Sequence, residues 1–123
     1  MISSVCKTYN FSAAHQLPNH NGKCKNEHGH NYKVEIEVSG PINTESGHSS
    51  EGMVVDFQDL DAVMDLWIRA LDHQNLNKLG LFSPTTAENI ALFLFNHIMF
   101  MAPYKLEQIR VWETDKCWAE VRA

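Results

Sequence analysis

Runs of lysine and arginine are absent from this chain: ten basic residues are scattered against fifteen acidic ones, leaving a net charge of −5. Without a basic stripe, neither a nucleic-acid surface nor an anionic-membrane surface is expected. Cysteines are few and odd in number (Cys6, Cys24 and Cys117), and no Cys-x-x-Cys pair occurs. That sets aside a disulfide framework and a cysteine-ligated zinc, and makes a reducing, cytoplasmic compartment the expectation. No apolar stretch is long enough to span a bilayer, and Met1 to Ser4 carry no signal-type apolar region. Repeats, low-complexity tracts and interdomain linkers are missing as well. A length of 123 residues fits one domain, 1–123, with a core large enough to dispense with disulfide staples.

What the chain does have is the stretch Cys24-Lys25-Asn26-Glu27-His28-Gly29-His30. In a strand, side chains at i and i+2 leave on the same face, so His28 and His30 can grip one ion together. Gly29 between them leaves room for close approach to the backbone. A third histidine, His15, ends the run Tyr9-Asn10-Phe11-Ser12-Ala13-Ala14-His15. Three imidazoles with an open fourth position is the arrangement of a catalytic zinc; structural sites close all four. A His-x-His pair alone is weak in a chain with seven histidines. The fuller Cys-x-x-x-His-Gly-His string is more specific, because a thiol outside the ligand set is free to do chemistry. The bland alternative is a hydrogen-bonded core histidine pair beside a buried cysteine.

Alternation predicts a first strand from Val5 to about Ala14, with Val5, Tyr9, Phe11, Ala13 and His15 on one face and Lys7 as the exception. A second strand runs from His28 to Ser39, with His28, His30, Tyr32, Val34, Ile36 and Val38 inward. Both strands put their histidines on the apolar side, sheltered from water. A Gly/Ser-rich loop carrying a solvated His48 follows. Asp56 then caps a helix with Phe57, Leu60, Val63, Met64, Trp67, Ile68 and Leu71 at helical spacing. Thr85-Thr86-Ala87-Glu88 reads as a capping box opening a second helix as far as Met101, where Pro103 ends it. Its apolar residues exceed one face, which points to a subunit contact. Strands at Leu106–Glu113 and Trp118–Arg122 complete an α+β chain: a four-stranded antiparallel sheet with two helices on one face. Ile109, Val111 and Glu113 share a face, so a carboxylate ends an apolar row. It is either solvated at the strand end or an anchor for two parallel N–H bonds from a guanidine-like edge.

The Cys24-to-His30 string, with Ala14-His15, Gly52-Met53-Val54-Val55-Asp56-Phe57, Leu71-Asp72-His73-Gln74-Asn75-Leu76-Asn77, Pro84-Thr85-Thr86-Ala87-Glu88-Asn89 and Val111-Trp112-Glu113-Thr114, resembles the 6-pyruvoyltetrahydropterin synthase family. Within it, the chain is most similar to the 6-carboxytetrahydropterin synthase branch of queuosine (7-deazaguanine) biosynthesis. The resemblance implies a tunnelling fold (T-fold), in which three subunits close a twelve-stranded barrel and two trimers stack into a homo-hexamer. Closure of that kind removes exposed edge strands. It also implies a lyase acting on 7,8-dihydroneopterin triphosphate at subunit interfaces.

Carried over by position, His15, His28 and His30 are similar to the family's zinc ligands, Cys24 to its catalytic base, and Asp72 with His73 to its proton-relay pair. Glu113 resembles the anchor of the pterin 2-amino and N3 edge. Thr85 and Thr86 sit where main chain helps hold the ring. Lys23 and Lys25 flank the thiol, where they would favour the thiolate or meet the triphosphate; their plain alternative is a solvated loop. Glu27, adjacent to His28, is expected to aim away from the metal. His20 and His97 are expected to be ordinary surface or helix residues. Two rivals stand beside the carboxy-forming lyase: a pyruvoyl-forming synthase using the same substrate, and a non-catalytic zinc- or pterin-binding module.

Overall fold

Period-two burial runs through β1 (Ile2–His15) and β2 (His28–Pro41) in the computed structural model, which describes residues 1–123. The two strands pair antiparallel without a slip, from Ile2 opposite Pro41 to His15 opposite His28. Phe11, Ala13 and His15 on β1, and Tyr32, Val34, Ile36 and Val38 on β2, are therefore all buried on one side. Both strands extend past the predicted ends. Their polar termini keep pairing because the opposite strand still offers ladder partners, a condition that hydropathy does not report.

Lys7, the one charge on the inward face of β1, is neutralised rather than misplaced. Its Nζ lies 2.6 Å from Asp61 Oδ1, and the Tyr9 hydroxyl donates to the same oxygen at 2.6 Å. The Lys7 and Tyr9 hydrogen bonds hold the Asp61 carboxyl below the usual carboxylate range. This cluster ties β1 to α1 (Phe57–Leu71), whose N-cap Asp56 accepts from Gln58 N–H and which buries Leu60, Met64 and Leu71.

After α1 come a two-residue strand, β3 (Gln74–Asn75), and a single helical turn, α2 (Leu76–Leu79). Neither was expected. β3 pairs parallel with Ala13–Ala14. With β4 (Lys105–Thr114) and β5 (Cys117–Arg122) the sheet is five-stranded and mixed, in the order β3-β1-β2-β4-β5, where four antiparallel strands were predicted. It does not close on itself within one chain. The β2–β4 register shifts at Glu37/Val38, so that Glu107 is an extra residue between Leu106 and Gln108.

α3 (Ala87–His97) is capped by Thr86, which accepts from Asn89 N–H, not by Thr85 as the capping-box reading placed it. It also ends earlier than predicted. Ile98 leaves the helical conformation and drops into the core, while Met99 and Met101 are each 85 % exposed. Ala87, Ile90, Ala91 and Leu94 form its buried face. Both longer helices pack on one side of the sheet, α1 over β1 and α3 over β4 and β5. No helix is long and apolar enough to cross a membrane.

Candidate metal-binding active site

Unbroken β1–β2 register has a direct chemical consequence. His15 stands opposite His28, and His30 follows two residues along on the same side. One ligand atom from each of the three lies within 4.8 Å of the others. The His15 Nδ1–H donates to the Thr85 carbonyl at 2.7 Å, and the His28 Nδ1–H to the Asn26 carbonyl at 2.8 Å. A carbonyl can only accept, so in both rings the proton sits on Nδ1 and the Nε2 lone pair is free. Nε2 of His15 and Nε2 of His30 are both buried without a partner. Buried, unsatisfied nitrogens converging on one point are what a bound cation would satisfy. Burial, the dominant cause, lowers the basicity of His15 and His30 below the usual imidazole value. The Thr85 carbonyl opposes the shift at His15, and Glu113 opposes it at His30. Neutral imidazole is the ligating form, so the triad fits a zinc-type ion with an open coordination position.

Cys24 is not a member of that triad. It sits half-buried in a one-turn 3-10 helix, Lys23–Lys25, whose position is held by the Leu17 N–H bond to the Cys24 carbonyl at 2.8 Å. Cys24 lines a hollow of about 470 Å³ together with Lys23, Asn26, His28 and His30. Lys25 is outside that lining. The thiol thus opens onto the same space as two of the three imidazoles.

Glu113, near the end of β4, is partly sheltered. Its side chain is 30 % exposed and Oε2 lies 4.0 Å from His30 Nε2. It lines a separate small hollow of about 140 Å³ with Ala87, Glu88 and Trp118. Thr85 is 1 % exposed, with its carbonyl taken by His15 and its hydroxyl 3.3 Å from the Gln16 carbonyl oxygen. Thr86 spends its hydroxyl on the helix cap.

The pair Asp72–His73 lies at the end of α1. Asp72 Oδ1 accepts from Ser12 N–H at 2.9 Å, and Oδ2 lies 2.9 Å from His73 Nδ1. These two contacts, Ser12 first, hold the Asp72 carboxyl below its ordinary range. His73 takes a left-handed φ of 59° and presents an 83 % exposed side chain. It borders a hollow of about 490 Å³ with Ser12, Gly29, His30 and Asn31. Cys24 and His73 therefore face different hollows of one chain, with His30 common to both.

Glu27 is exposed and accepts from Asn75 Nδ2 at 2.8 Å. His20 and His48 are exposed, and His97, the last residue of α3, stacks on Phe93. Two contributors escaped the sequence reading. Tyr32, fully buried, sets its ring against His15 and His30 at centroid distances of 6.0 and 5.4 Å. Asn77 hydrogen-bonds the backbone of Gln16, next to His15. The i+2 continuation of the histidine row pointed to Tyr32; Asn77 stood in the Leu71–Asn77 motif, but its neighbours there gave it no role.

Residues 4–123 match the family described as 6-pyruvoyl tetrahydropterin synthase. The chain is 34 % identical to the 6-carboxy-5,6,7,8-tetrahydropterin synthase of Haemophilus influenzae, over 94 % of this chain and 96 % of the other. It is 40 % identical to the protein of the same name from Synechocystis, over 89 % of this chain and 85 % of the other. The solved structure of Caenorhabditis elegans 6-pyruvoyl tetrahydropterin synthase superposes with a TM-score of 0.85 at 28 % identity, covering 100 % of this chain and 96 % of that one. The open sheet and the two covering helices are those of a T-fold subunit, and the chain belongs to the 6-pyruvoyl tetrahydropterin synthase family.

Proposed function

We propose that this chain is a zinc-dependent 6-carboxy-5,6,7,8-tetrahydropterin synthase, a carbon–carbon lyase that converts 7,8-dihydroneopterin triphosphate and water to 6-carboxytetrahydropterin, acetaldehyde and triphosphate in queuosine biosynthesis. The observation that carries this reading is the placement of Cys24. The thiol lines one hollow with His28 and His30 yet stays outside the ligand triad. Mere metal storage or pterin binding needs no such thiol.

His15, His28 and His30 would hold zinc, which supplies a Lewis acid for oxygens of the substrate's side chain when bound. Cys24, as thiolate, takes a proton from carbon, a role for a base within reach of the bound side chain. Lys23 stands in the same lining as the thiol. With Lys25 it also offers positive charge to the triphosphate of an acidic chain's substrate. Glu113 accepts two N–H bonds from the pterin edge, and main chain at Thr85 and Thr86 borders the ring.

Asp72 orients His73 to carry protons. His73 and Cys24 line different hollows of one chain, so assembly of copies would offer His73 of one to the thiol of another. The unclosed sheet is compatible with such a ring, which the resemblance expects as a homo-hexamer.

The pyruvoyl-forming reaction on the same substrate is the second reading, supported by the C. elegans neighbour. The short Cys-x-x-x-His spacing and the two carboxy-forming relatives favour the first. Incubation with dihydroneopterin triphosphate and product identification by mass separates them. A carboxy product with acetaldehyde supports the proposal, a product retaining the three-carbon side chain replaces it, and no turnover by zinc-loaded protein overturns both.

A further inference from the structure

The segment following α1 is fastened to the approach to His15 more firmly than a two-residue strand requires. His73 N–H donates to the Ser12 carbonyl at 2.6 Å, and Ser12 N–H to Asp72 Oδ1 at 2.9 Å. Gln74 and Asn75 then pair with Ala13 and Ala14. Past Asn75, the segment turns into α2 and its backbone pairing with β1 stops, but the contact does not. Gln16 N–H donates to Asn77 Oδ1 at 2.9 Å, and Asn77 Nδ2 donates back to the Gln16 carbonyl at 2.9 Å. One carboxamide thus does the work of a further ladder rung. Only a side chain with a donor and an acceptor side by side can do so.

The same amide reaches the other support of His15. Asn77 Oδ1 and the Gln16 carbonyl oxygen each lie 3.3 Å from Thr85 Oγ1, and the Thr85 carbonyl receives the His15 Nδ1–H. His15 is held on its backbone side by the clamped Gln16 peptide and on its ring side by Thr85, and Asn77 touches both. Asn77 is itself exposed and lines no space shared with the triad, so it acts through these neighbours.

We propose that Asn77 is a positioning residue for His15. It fixes the direction in which the unpaired Nε2 points, and it joins that ligand to the Asp72–His73 pair through one continuous segment. The inference rests on the metal reading of the triad for its affinity readout, but the orientation of His15 can be measured without metal. Ligand-orienting groups outside a metal's own shell commonly change affinity by about 10–100-fold.

The test uses the full-length chain as wild type, Asn77→Ala, Asn77→Asp and, as a control on the same turn, Lys78→Ala. Zinc affinity is measured by chelator competition, the cobalt(II) derivative by its visible spectrum, and metal-free His15 by the exchange rate of its Nδ1 proton in nitrogen-15 spectra. Asn77→Ala is expected to weaken zinc by about 10–100-fold, alter the cobalt spectrum and speed Nδ1 proton exchange at least about tenfold. Lys78→Ala is expected to change none of these. Asn77→Asp keeps the acceptor for Gln16 N–H and replaces the donor with a carboxylate oxygen facing the Gln16 carbonyl, so it stands in if the alanine variant does not fold. It is expected to shift each readout the same way. Wild-type zinc affinity and proton exchange in a folded Asn77 variant would overturn the proposal. If wild type itself binds no zinc, the metal reading fails separately, and the His15 exchange rate decides alone.

Discussion

Glu113 Oε2 stands 4.0 Å from His30 Nε2, joining the carboxylate that ends β4 to the imidazole row of β2. The carboxylate partly offsets the burial that lowers the basicity of His30. It is also half-sheltered, so a guanidine-like edge reaching it would exchange little water for two charge-assisted bonds. Glu113→Ala is therefore expected to weaken pterin binding by roughly 1.5–3 kcal/mol while leaving zinc in place. Titration with a non-reactive pterin alongside metal analysis checks both halves. Unchanged pterin affinity would return Glu113 to a structural role.

Burial keeps His15 and His30 neutral, and the sign of the resulting pH dependence is fixed. Their folded-state basicities lie below the ordinary imidazole value, so below about pH 6.5 the unfolded chain binds more protons than the folded one. The stability of the metal-free protein is accordingly complete above that pH and is lost as pH falls through the unfolded value. Zinc competes with protons only on the folded chain, so the share of affinity that His15 and His30 contribute is expected to persist below about pH 6.5 and to decline only as those two rings protonate. Melting curves from pH 8 to pH 5, with and without zinc, provide the check. Stability that rises on acidification would contradict the neutral assignment.

The alternation that buries Phe11 and Tyr32 also aims His15, His28 and His30, so the clustering of the three histidines was legible with the strands that carry them. Asp56 as a cap was equally local, since a short acidic side chain before an amphipathic run has one natural use. The parallel strand Gln74–Asn75 was not legible. Two polar residues carry no periodicity, and their pairing depends on Ser12 and Ala13, some sixty positions away. Thr85 and Thr86 could each have capped α3. Which one did was decided by His15, whose ring needed a carbonyl. The clamp by Asn77 was hidden for the same reason: its meaning lies in Gln16. Ile98 left α3 early because the core had a place for it, which helical spacing alone could not foresee.

Tyr32 buries its hydroxyl without a partner beneath the histidines. An unsatisfied buried hydroxyl costs more than the carbon–hydrogen bond that phenylalanine would place there. The ring, stacked on Phe11 at 4.8 Å, would be unchanged. Tyr32→Phe is expected to stabilise the metal-free protein by about 1 kcal/mol, read as a higher Tm. A lower Tm would mean that the hydroxyl is satisfied in solution, by water or by a neighbouring group that moves to meet it.

Cys24→Ala separates the catalytic reading from a structural one. The triad already offers three nitrogen ligands, and the thiol faces the hollow beside them without belonging to it. Removing it is expected to leave zinc content, fold and pterin binding intact while turnover drops by about 10²–10⁴-fold, the usual contribution of a positioned general base. If Cys24 were a fourth ligand, the site would be closed, and alanine would release metal and lower the Tm. Zinc content, Tm and turnover measured on one preparation distinguish these outcomes. Metal lost together with the thiol would sink the lyase mechanism, because a closed site has no position left for substrate oxygen. Metal retained with activity gone would leave the thiol, which shares the lining with His28 and His30, as the base.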